Sequence, residues 1–575
     1  MTRPRWRPRK VVDVELGEAI AGLEPLADIT QLDGYSAVWG LVRLHGTPVG
    51  TVEVPVVDGK CPAVSIGRAV LAKHADRIIR HLVLLSLGAQ MPPGGWDPAR
   101  LFALRPPPPP EAAPSLTVAV CTRDRPAELA RCLDALLASR GVEFELLVVD
   151  NAPATDAVRV MLEARFPQVR YAREPRPGLD WARNRAILEA SGEILAFIDD
   201  DAMVDPGWSP AVGRVFAEQP DVMAVTGPVV PEELETEAQQ LFEEYGGFGR
   251  GFMRRWCRAE GDHRGRAVGH HRPAQFGTGA NMAFRRDLFS RIGAFDPRLD
   301  VGTSAGGGGD LEMFFRVVQE GYTLAYEPDA LVRHRHRREP AALDRQLAAW
   351  GKGFFAYLAR SWTAFPGERL AFAAVATRWL GRWVVRRGTA SVVSPARHPL
   401  HLALAELSGA AQGPAAWRRS RREAAEITER FGPQIGETPP PASTSPRRGR
   451  HSPPRREVRR IDLRDPVGPL LGLGDCTSTR VEVTFEWQRV GVVDIATPGP
   501  EVGATQLREV LAERFGTALL DPRQPSDGQR QGLAVYRALA ERLAPGQAVP
   551  VPPGPTPGPR PHHTSRATRP DASHA

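Results

Sequence analysis

Strand-like apolar runs alternate with helical patterns between residues 116 and 199, and this alternation constrains the fold more than any other feature of the sequence. The runs lie at Leu116–Cys121, Glu145–Asp150 and Ile194–Asp199, and amphipathic helical patterns separate them. Strands that are apolar on both faces and alternate with helices are typical of a parallel sheet with right-handed crossovers. The sequence therefore predicts an α/β domain.

Each of these runs ends in polar residues. Thr122 follows the first run, Asp150 and Asn151 end the second, and an acidic triplet beginning at Asp199 ends the third. In parallel α/β sheets, ligands bind beyond the carboxyl ends of the strands. We therefore expect a binding site where these three strands end.

The triplet Asp199, Asp200 and Asp201 is the strongest chemical signal in the chain. Three neighbouring carboxylates repel one another unless a cation neutralises them, and a hard divalent ion prefers such oxygen ligands. If strand geometry continues through the triplet, Asp199 and Asp201 point to one side and Asp200 to the other. The alternative is a solvated acidic turn.

Polar and glycine-rich elements further along the chain add candidates for the same site. Arg183 and Asn184 lie near the start of a predicted helix, where anions bind well. Asn281 lies in the loop Gly277–Arg285, and Asp310 begins a predicted helix after four glycines. A short strand-like run then leads to two histidines, His334 and His336.

In the order and spacing of these elements, residues 115–336 resemble the family 2 glycosyltransferases of the GT-A fold. The matching elements are the strand ending at Thr122, Val149-Asp150-Asn151, Ala182-Arg183-Asn184, the DxD triplet, Gly279-Ala280-Asn281-Met282 and the segment at Asp310. The resemblance implies an inverting transferase that moves a sugar from a nucleotide-sugar donor to an acceptor hydroxyl. It also implies a divalent metal, Mn²⁺ or Mg²⁺.

The resemblance assigns roles to individual residues. It implies that Asp310 is the general base. It places donor or acceptor contacts at Thr122, Asp150, Arg183, Asn184, Asp200 and Asn281. It places the metal at Asp199, Asp201 and His334, with His336 as the competing histidine.

Two departures from family patterns bear on the acceptor. The base segment usually reads Glu-Asp-x-Asp-Leu, whereas here Gly309 precedes Asp310 and Glu312 takes the place of the second acid. The Gln-x-x-Arg-Trp motif of processive synthases is absent, since the segment Gln346–Trp350 lacks its arginine. A single-addition enzyme is therefore the expectation, with an acceptor that is a glycan, a lipid-linked molecule or a small molecule.

Composition divides the 575 residues into several units. We predict an N-terminal accessory module over 1–105, a Pro-rich linker over 106–114 and the GT-A domain over 115–340. A helical extension over 341–430, a Pro/Ser/Arg linker over 431–457, a C-terminal accessory module over 458–545 and a disordered tail over 546–575 follow. The two α+β accessory modules share a strand–Val-Gly–strand–helix pattern, which indicates either a repeat or a coincidence between Val-rich strands.

The net charge of +7 comes largely from arginine runs. A solvated linker or helix face explains these runs most simply, and contact with anionic lipid or with a phosphorylated acceptor is the second interpretation. No nucleic-acid-binding motif is present, so a nucleic-acid partner is not expected. The four arginines Arg378, Arg382, Arg386 and Arg387 make one side of the helical extension basic. Membrane contact there is the minority interpretation.

The sequence also bears on the cellular compartment. Five scattered cysteines form no CxxC pair, which argues against a disulfide framework or a zinc site. Neither a signal peptide nor a run of about 18 apolar residues is visible. The expectation is a cytoplasmic protein, with peripheral membrane contact as a possibility.

Two other functions compete with sugar transfer. A sugar-1-phosphate nucleotidyltransferase uses a related sheet, but the turn Thr122–Pro126 lacks the glycines of its phosphate loop. A degenerate nucleotide- or carbohydrate-binding module is the other, and the intact acids Asp199, Asp201 and Asp310 argue against it.

Overall fold

A computed structural model gives the fold of most of the chain. It describes residues 6–108, 110, 112–141, 143–259, 261–262, 271–394, 398–434, 456–474, 476, 478–496, 501–523 and 527–547. Most of the predicted linker 431–457 and nearly all of the predicted tail 546–575 lie outside these residues.

The N-terminal module forms a small sheet covered by one long helix. Its strands are β1 (Arg9–Glu15), β2 (Ala37–Leu44) and β3 (Thr47–Pro55), and its helices are α1 (Gly17–Ala21), α2 (Ala63–Leu87) and α3 (Pro98–Ala103). β1 pairs parallel with β2, and β2 pairs antiparallel with β3. α2 places apolar residues such as Val70, Ile78 and Leu82 at helical spacing and buries them.

The central domain is built from strands and helices in alternation. Its first half contains β4 (Leu116–Thr122), α4 (Pro126–Leu137), β5 (Phe144–Asn151), α5 (Ala157–Arg165), β6 (Arg170–Glu174), α6 (Leu179–Glu189), β7 (Ile194–Asp199), β8 (Ala202–Val204) and α7 (Trp208–Glu218). Its second half contains β9 (Val222–Thr226), β10 (Val229–Pro231), α8 (Glu237–Tyr245), β11 (Arg255–Arg258), β12 (Gly261–Asp262), β13 (Asn281–Arg285), α9 (Leu288–Ile292), α10 (Gly309–Gln319), β14 (Thr323–Tyr326) and β15 (Val332–His334).

Over the described residues, the central sheet has nine strands in the order β12-β11-β14-β9-β13-β7-β4-β5-β6. β7, β4, β5 and β6 run parallel, whereas β13 is antiparallel to both of its neighbours. Apolar clusters lie on both faces of this sheet. The prediction of an α/β domain with a parallel sheet in its first half is confirmed.

The central domain also contains a second, three-stranded sheet. Its order is β10-β15-β8, with β15 parallel to β10 and antiparallel to β8. This sheet brings the end of the domain, at β15, next to the turn that follows β7.

The helical extension follows the central domain. Its helices are α11 (Pro340–Ala364), α12 (Arg369–Arg382), α13 (Thr389–Val393) and α14 (Leu400–Phe431), and a π-helical segment, Trp383–Gly388, joins α12 to α13. α11 and α14 approach very closely, because glycines lie at their crossing. A Cβ atom added at Gly409 would lie 1.8 Å from the carbonyl oxygen of Ala348.

The C-terminal module repeats the strand order of the N-terminal one. It contains β16 (Arg456–Asp462), β17 (Ser478–Phe485), β18 (Gln488–Ala496), α15 (Ala504–Phe515) and α16 (Gly528–Leu543). β16 pairs parallel with β17, and β17 pairs antiparallel with β18. The same order of parallel and antiparallel pairs, followed by a helix, occurs in the N-terminal module.

The two modules pack into one domain, which we call the terminal domain (residues 6–105 and 456–547). One hydrophobic core contains side chains from both, including Val70 and Leu82 of α2 and Leu507 and Leu539 of the C-terminal module. α2 and α16 touch so closely that a Cβ added at Gly67 would lie 1.7 Å from the Leu543 carbonyl oxygen. The ends of the chain are thus joined by burial of apolar surface.

Among the helices that the structure describes, none combines the length and the apolar character needed to span a bilayer.

Candidate functional site

A cleft of about 1710 Å³ opens at the carboxyl ends of β4, β5 and β7. The ends of these strands line one side, and the glycine-rich segment before α10 lines another. Helices α11 and α12 with the π-helical segment also line the cleft. Of the predicted site residues, those that line this cleft are Thr122, Arg183, Asp199, Asp200, Asp201, Asp310 and His334.

The parallel register aligns the three predicted strand ends. Thr122 lies opposite Asp150, and Cys121 lies opposite Asp199. The Asp150 side chain is nevertheless fully buried and does not line the cleft, whereas Asn151 does. Its Oδ2 accepts a hydrogen bond from the Tyr171 hydroxyl at 3.1 Å, and its Oδ1 has no partner. Burial raises the pKa of Asp150.

The acidic triplet is a turn, because β7 ends at Asp199. The condition for alternating side chains is therefore not met, and Asp200 and Asp201 share one partner, Arg125. The Thr122 hydroxyl donates to Asp200 at 2.7 Å, and Arg125 donates to Asp200 at 2.5 Å and to Asp201 at 2.9 Å. Burial raises the pKa of Asp200 to about 7, although Arg125 opposes the shift.

His334 reaches this turn through the small sheet. It lies opposite Ala202 in the β15–β8 pairing, and its Nε2 is 3.1 Å from Asp201 Oδ1. Burial by itself would raise the pKa of Asp201, but His334 and Arg125 hold that pKa well below its usual range. His336 instead contacts Glu243 at 2.9 Å. Of the two competing histidines, His334 is the one at the acidic turn.

The donor set at this turn fits a divalent ion. Within the described part of the chain, the Asp199 carboxylate lines the cleft without a hydrogen bond or ion pair, and burial followed by the Asp201 charge raises its pKa. A carboxylate in this state is short of positive charge. Carboxylate oxygens with one imidazole suit Mn²⁺ or Mg²⁺. In the described residues no three His, Cys, Asp or Glu side chains are already arranged to bind a metal ion. Arg125 donates a hydrogen bond to one oxygen of Asp201, so a metal ion would have to displace it there.

Arg183 lies at the floor of the cleft rather than free at a helix start. It donates to Asp180 at 2.9 Å and to Asp300 at 2.5 Å, and its side chain is almost fully buried. The two carboxylates hold the guanidinium in place and leave it little capacity for an anion. This placement differs from the expectation of an open anion site, because α6 begins at Leu179 and Arg183 lies a full turn inside it.

Asn184 and Asn281 do not line the cleft. Asn184 bonds the backbone of Phe295 through both amide atoms, at 3.0 and 2.9 Å. Asn281 accepts from the Trp208 indole at 2.9 Å and donates to the Ala330 carbonyl at 2.7 Å. Their buried amides secure loops, and the predicted substrate contacts have no geometric support.

Asp310 begins α10 at the edge of the cleft. The Gly279 N–H donates to its Oδ2 and the Leu311 N–H to its Oδ1, both at 2.8 Å. Burial, and then the nearby Asp300 carboxylate, raise its pKa. A Cβ at Gly279 would lie 3.2 Å from the Asp310 Cβ, so the glycine lets the loop approach the carboxylate closely.

The unusual glycine before Asp310 also has a structural reason. A Cβ at Gly309 would lie only 2.1 Å from Asp180 Oδ2. The Asp180 carboxylate of α6 therefore occupies the space that a side chain at position 309 would need. Asp180 is buried, its Oδ2 has no partner, and its pKa is raised by burial.

Several residues of the site have no role in the sequence interpretation. Arg125 pairs two acids of the triplet, Asp180 and Asp300 hold Arg183, and Arg337 lies 3.6 Å from Asp201. Arg125 lies in the short turn between β4 and α4, and its place in the turn after a strand was the available signal for it. The others reach the site through tertiary contacts.

Comparisons with known proteins agree with this architecture. Residues 117–293 match the family described as glycosyl transferase family 2. The chain is 26% identical over 233 residues to the glucosyl-dolichyl phosphate glucuronosyltransferase of Haloferax volcanii, a match that covers 38% of this chain and 69% of that protein. It is 28% identical over 241 residues to the succinoglycan biosynthesis protein ExoM of Rhizobium meliloti, covering 41% and 70%.

Among solved structures, the chain resembles a mannosyltransferase of Pyrobaculum calidifontis, solved in complex with GDP-Man and Mn²⁺. The TM-score is 0.37 at 18% identity, and the match covers 61% of this chain and 98% of that one.

Proposed function

We propose that this chain, whose residues 117–293 match glycosyl transferase family 2, transfers one sugar from a nucleotide-sugar donor to an acceptor hydroxyl with inversion. The reaction is a single displacement and one sugar is added per encounter. The observation that carries this proposal is that Asp310 and the acidic turn Asp199–Asp201 line the same cleft.

The donor lies over the ends of β4, β5 and β7. Thr122 and Asn151 lie at the strand ends, and Asp200 is held by Thr122 and Arg125. Asp150 is buried at the same strand end with one oxygen unpartnered among the described residues, and this oxygen is the proposed acceptor for the donor base. Asp199, Asp201 and His334 would hold Mn²⁺ or Mg²⁺, which when bound neutralises the diphosphate leaving group.

Asp310 acts on the acceptor. The N–H groups of Gly279 and Leu311 fix its carboxylate, which leaves its remaining lone pairs for the acceptor hydroxyl. A raised pKa makes a carboxylate a stronger base near neutral pH, and burial raises the pKa here. Asp310 therefore takes the proton of the hydroxyl as that oxygen attacks the anomeric carbon.

Donor hydrolysis tests the proposal. The purified protein is incubated with UDP-, GDP- and dTDP-sugars in Mn²⁺, in Mg²⁺ or in EDTA, and nucleotide release is measured. We expect slow release from one donor class that stops in EDTA and is abolished by Asp201→Ala. Release of pyrophosphate from a nucleoside triphosphate and a sugar phosphate would indicate the nucleotidyltransferase instead. Binding of no nucleotide, with or without metal, would contradict the enzyme and favour a degenerate binding module.

Asp310→Asn separates the base from the donor site. We expect sugar transfer to fall by about 10²- to 10⁴-fold, the usual contribution of a general base. Nucleotide binding stays the same, because Asp310 contacts the acceptor. The matched control is Asp134→Asn, since Asp134 pairs with Arg165 on an exposed surface away from the cleft. Equal loss of transfer in both variants would contradict the assignment.

A further inference from the structure

The part of the cleft that the helical extension lines is rich in arginine. Residues 341–430 contribute five arginines to the cleft. Glu406 of the same region also lines the cleft, and it accepts a hydrogen bond from the Tyr245 hydroxyl. Arg387 stacks on Tyr245, with its guanidinium 3.5 Å from the ring centroid. The other four, Arg345, Arg378, Arg382 and Arg386, are exposed and form no ion pair with any described residue.

Three of these arginines form a row, which we call the arginine stripe (Arg378, Arg382 and Arg386). They recur every four residues along α12 and the π-helical segment, so neighbours lie on one side at an axial spacing of about 6 Å. No acid among the described residues forms an ion pair with the stripe. Of the acids that line the cleft, Asp200 and Asp201 pair with Arg125, Asp300 pairs with Arg183 and Glu244 pairs with Arg9.

Aromatic side chains lie beside the stripe. Trp379 and Trp383 are the residues that follow Arg378 and Arg382, and both line the cleft. Trp379 packs on Phe355 of α11 at 5.1 Å between ring centroids. The Trp383 indole N–H is buried and has no acceptor among the described residues. An unpartnered donor next to unpaired guanidinium groups is suited to an anion with several oxygen acceptors.

We propose that this wall is the acceptor subsite and that the acceptor carries a phosphate or diphosphate group, which the arginine stripe and Trp383 bind. The inference rests on the proposed function, since it names the substrate class for the same cleft. In the proposed function the donor diphosphate is held at Asp199 and Asp201, which form no ion pair with the stripe in the described part of the chain. Arginine binds phosphate oxygens through paired N–H groups, so two neighbouring arginines match one phosphate.

The source of the phosphate is either a soluble sugar phosphate or a lipid headgroup. The same helical run exposes apolar side chains, with Leu380 48%, Val385 63%, Val392 82% and Val393 80% exposed. Apolar side chains beside a basic stripe favour an amphiphile whose headgroup enters the cleft. A binding experiment with chosen probes separates the two sources.

Binding of three probes tests the subsite. Isothermal titration measures dodecyl phosphate below its micelle concentration, glucose 1-phosphate and dodecyl maltoside. We expect dodecyl phosphate to bind the intact protein, and to bind at least about tenfold more weakly when Arg378, Arg382 and Arg386 are all changed to alanine. Trp383→Phe keeps an aromatic ring but removes the indole N–H, and we expect it to weaken binding by about threefold to tenfold.

The matched control changes Arg418, Arg419 and Arg422 to alanine. These arginines are exposed on α14 and do not line the cleft. Because three arginines are removed in each variant, the control changes the net charge as much as the stripe variant does. We expect the control to bind dodecyl phosphate like the intact protein. Nucleotide binding with Mn²⁺ stays unchanged in both triple variants, which separates this subsite from the donor site.

The remaining outcomes identify the source of the phosphate or overturn the proposal. Tighter binding of dodecyl phosphate than of glucose 1-phosphate assigns the phosphate to a lipid, and equal binding assigns it to a soluble acceptor. Dodecyl maltoside binding as tightly as dodecyl phosphate would overturn phosphate recognition. Equal loss in the control variant, loss of nucleotide binding in the stripe variant, or no phosphate binding to a protein that still binds nucleotide would also overturn the proposal.

Discussion

At the scale of single residues, the cleft is controlled by which carboxylates have partners. Asp201 is held by Arg125 and His334, Asp300 by Arg183, and Asp199 by no described residue. Burial raises the pKa of Asp199, Asp200 and Asp310, whereas Asp201 keeps a low pKa. The same type of side chain therefore supports different chemistry at positions close together.

The pH dependence of transfer reports on Asp310. A general base must be ionised, and its pKa is raised by burial and by Asp300. We therefore expect the acidic limb of the kcat/KM profile to lie above the ordinary range of aspartate, with activity lost as the pH falls. Asp300→Asn removes a negative charge beside Asp310 and releases Arg183, and both effects move the limb to lower pH. A limb that stays in place or moves to higher pH would contradict this assignment.

Arg125 competes with a cation for the acidic turn. Arg125→Ala removes the positive charge from both Asp200 and Asp201, so we expect Mn²⁺ to bind several-fold more tightly while the variant in EDTA melts at a lower temperature. Mn²⁺ titration and thermal melts with and without EDTA measure the two effects. Arg159→Ala, which removes an exposed arginine paired with Asp156 and Glu163, serves as the control. Weaker Mn²⁺ binding by the Arg125 variant would contradict competition.

At the scale of elements, the position of the basic wall depends on the close crossing of α11 and α14. Gly351 and Gly409 lie at this crossing, and a Cβ at Gly351 would lie 2.0 Å from the Glu406 carbonyl oxygen. The helix that carries the arginine stripe packs on α11 through Phe372 and Val375, which contact Tyr357 and Leu358. The wall therefore follows any shift of α11.

Gly409→Ala tests this crossing. Alanine normally stabilises a helix by about 0.5–1 kcal/mol relative to glycine. Here the new Cβ would lie 1.8 Å from the Ala348 carbonyl oxygen, so we expect a net loss of about 1–3 kcal/mol from overpacking. The free energy of unfolding is measured in urea. Gly381→Ala in α12, where no atom lies within 4 Å of the added Cβ, is expected to be neutral or stabilising. Similar values for both variants would contradict the tight crossing.

At the scale of the whole molecule, several arginines join the terminal domain to the central domain, among them Arg43, which pairs with Asp205, and the partly buried Arg254. Arg254 donates to Glu327 at 2.6 Å through its Nε, and its Nη1 lies 3.3 Å from Glu509 of α15. Arg80 of α2 also pairs with Glu509, so the network includes both modules of the terminal domain. Burial raises the pKa of Glu327 and Arg254 opposes this shift, so the carboxylates depend on that arginine.

Arg254→Met tests this junction. The substitution keeps most of the side-chain volume but leaves Glu327 and Glu509 buried without their common cation, so we expect a loss of about 3–5 kcal/mol. Thermal melts monitor whether the terminal and central domains then unfold separately. Arg159→Met breaks an exposed ion pair and is expected to cost about 0–1 kcal/mol. A loss no greater than that of the control would contradict a structural role for the network.

The sequence by itself determined the α/β sheet and the polar strand ends. Runs such as Val118–Cys121 and Ile194–Ile198 are apolar at every position, and this property is local to the chain. It also located Asp310 after its glycines, because the break in the pattern is local too. The two-stranded hairpin and the helix of each terminal module follow from similar short-range signals, whereas the parallel strands β1 and β16 were not predicted.

Only the tertiary structure decided which polar residues face the cleft. Asn184 and Asn281 lie in the expected segments, yet their amides bond distant backbone groups. The β15–β8 pairing selected His334 over His336, and Arg125 became the partner of two acids because β7 ends before them. Burial of apolar surface joined the two ends of the chain in one core. These outcomes depend on contacts between residues far apart in the sequence, which local patterns do not specify.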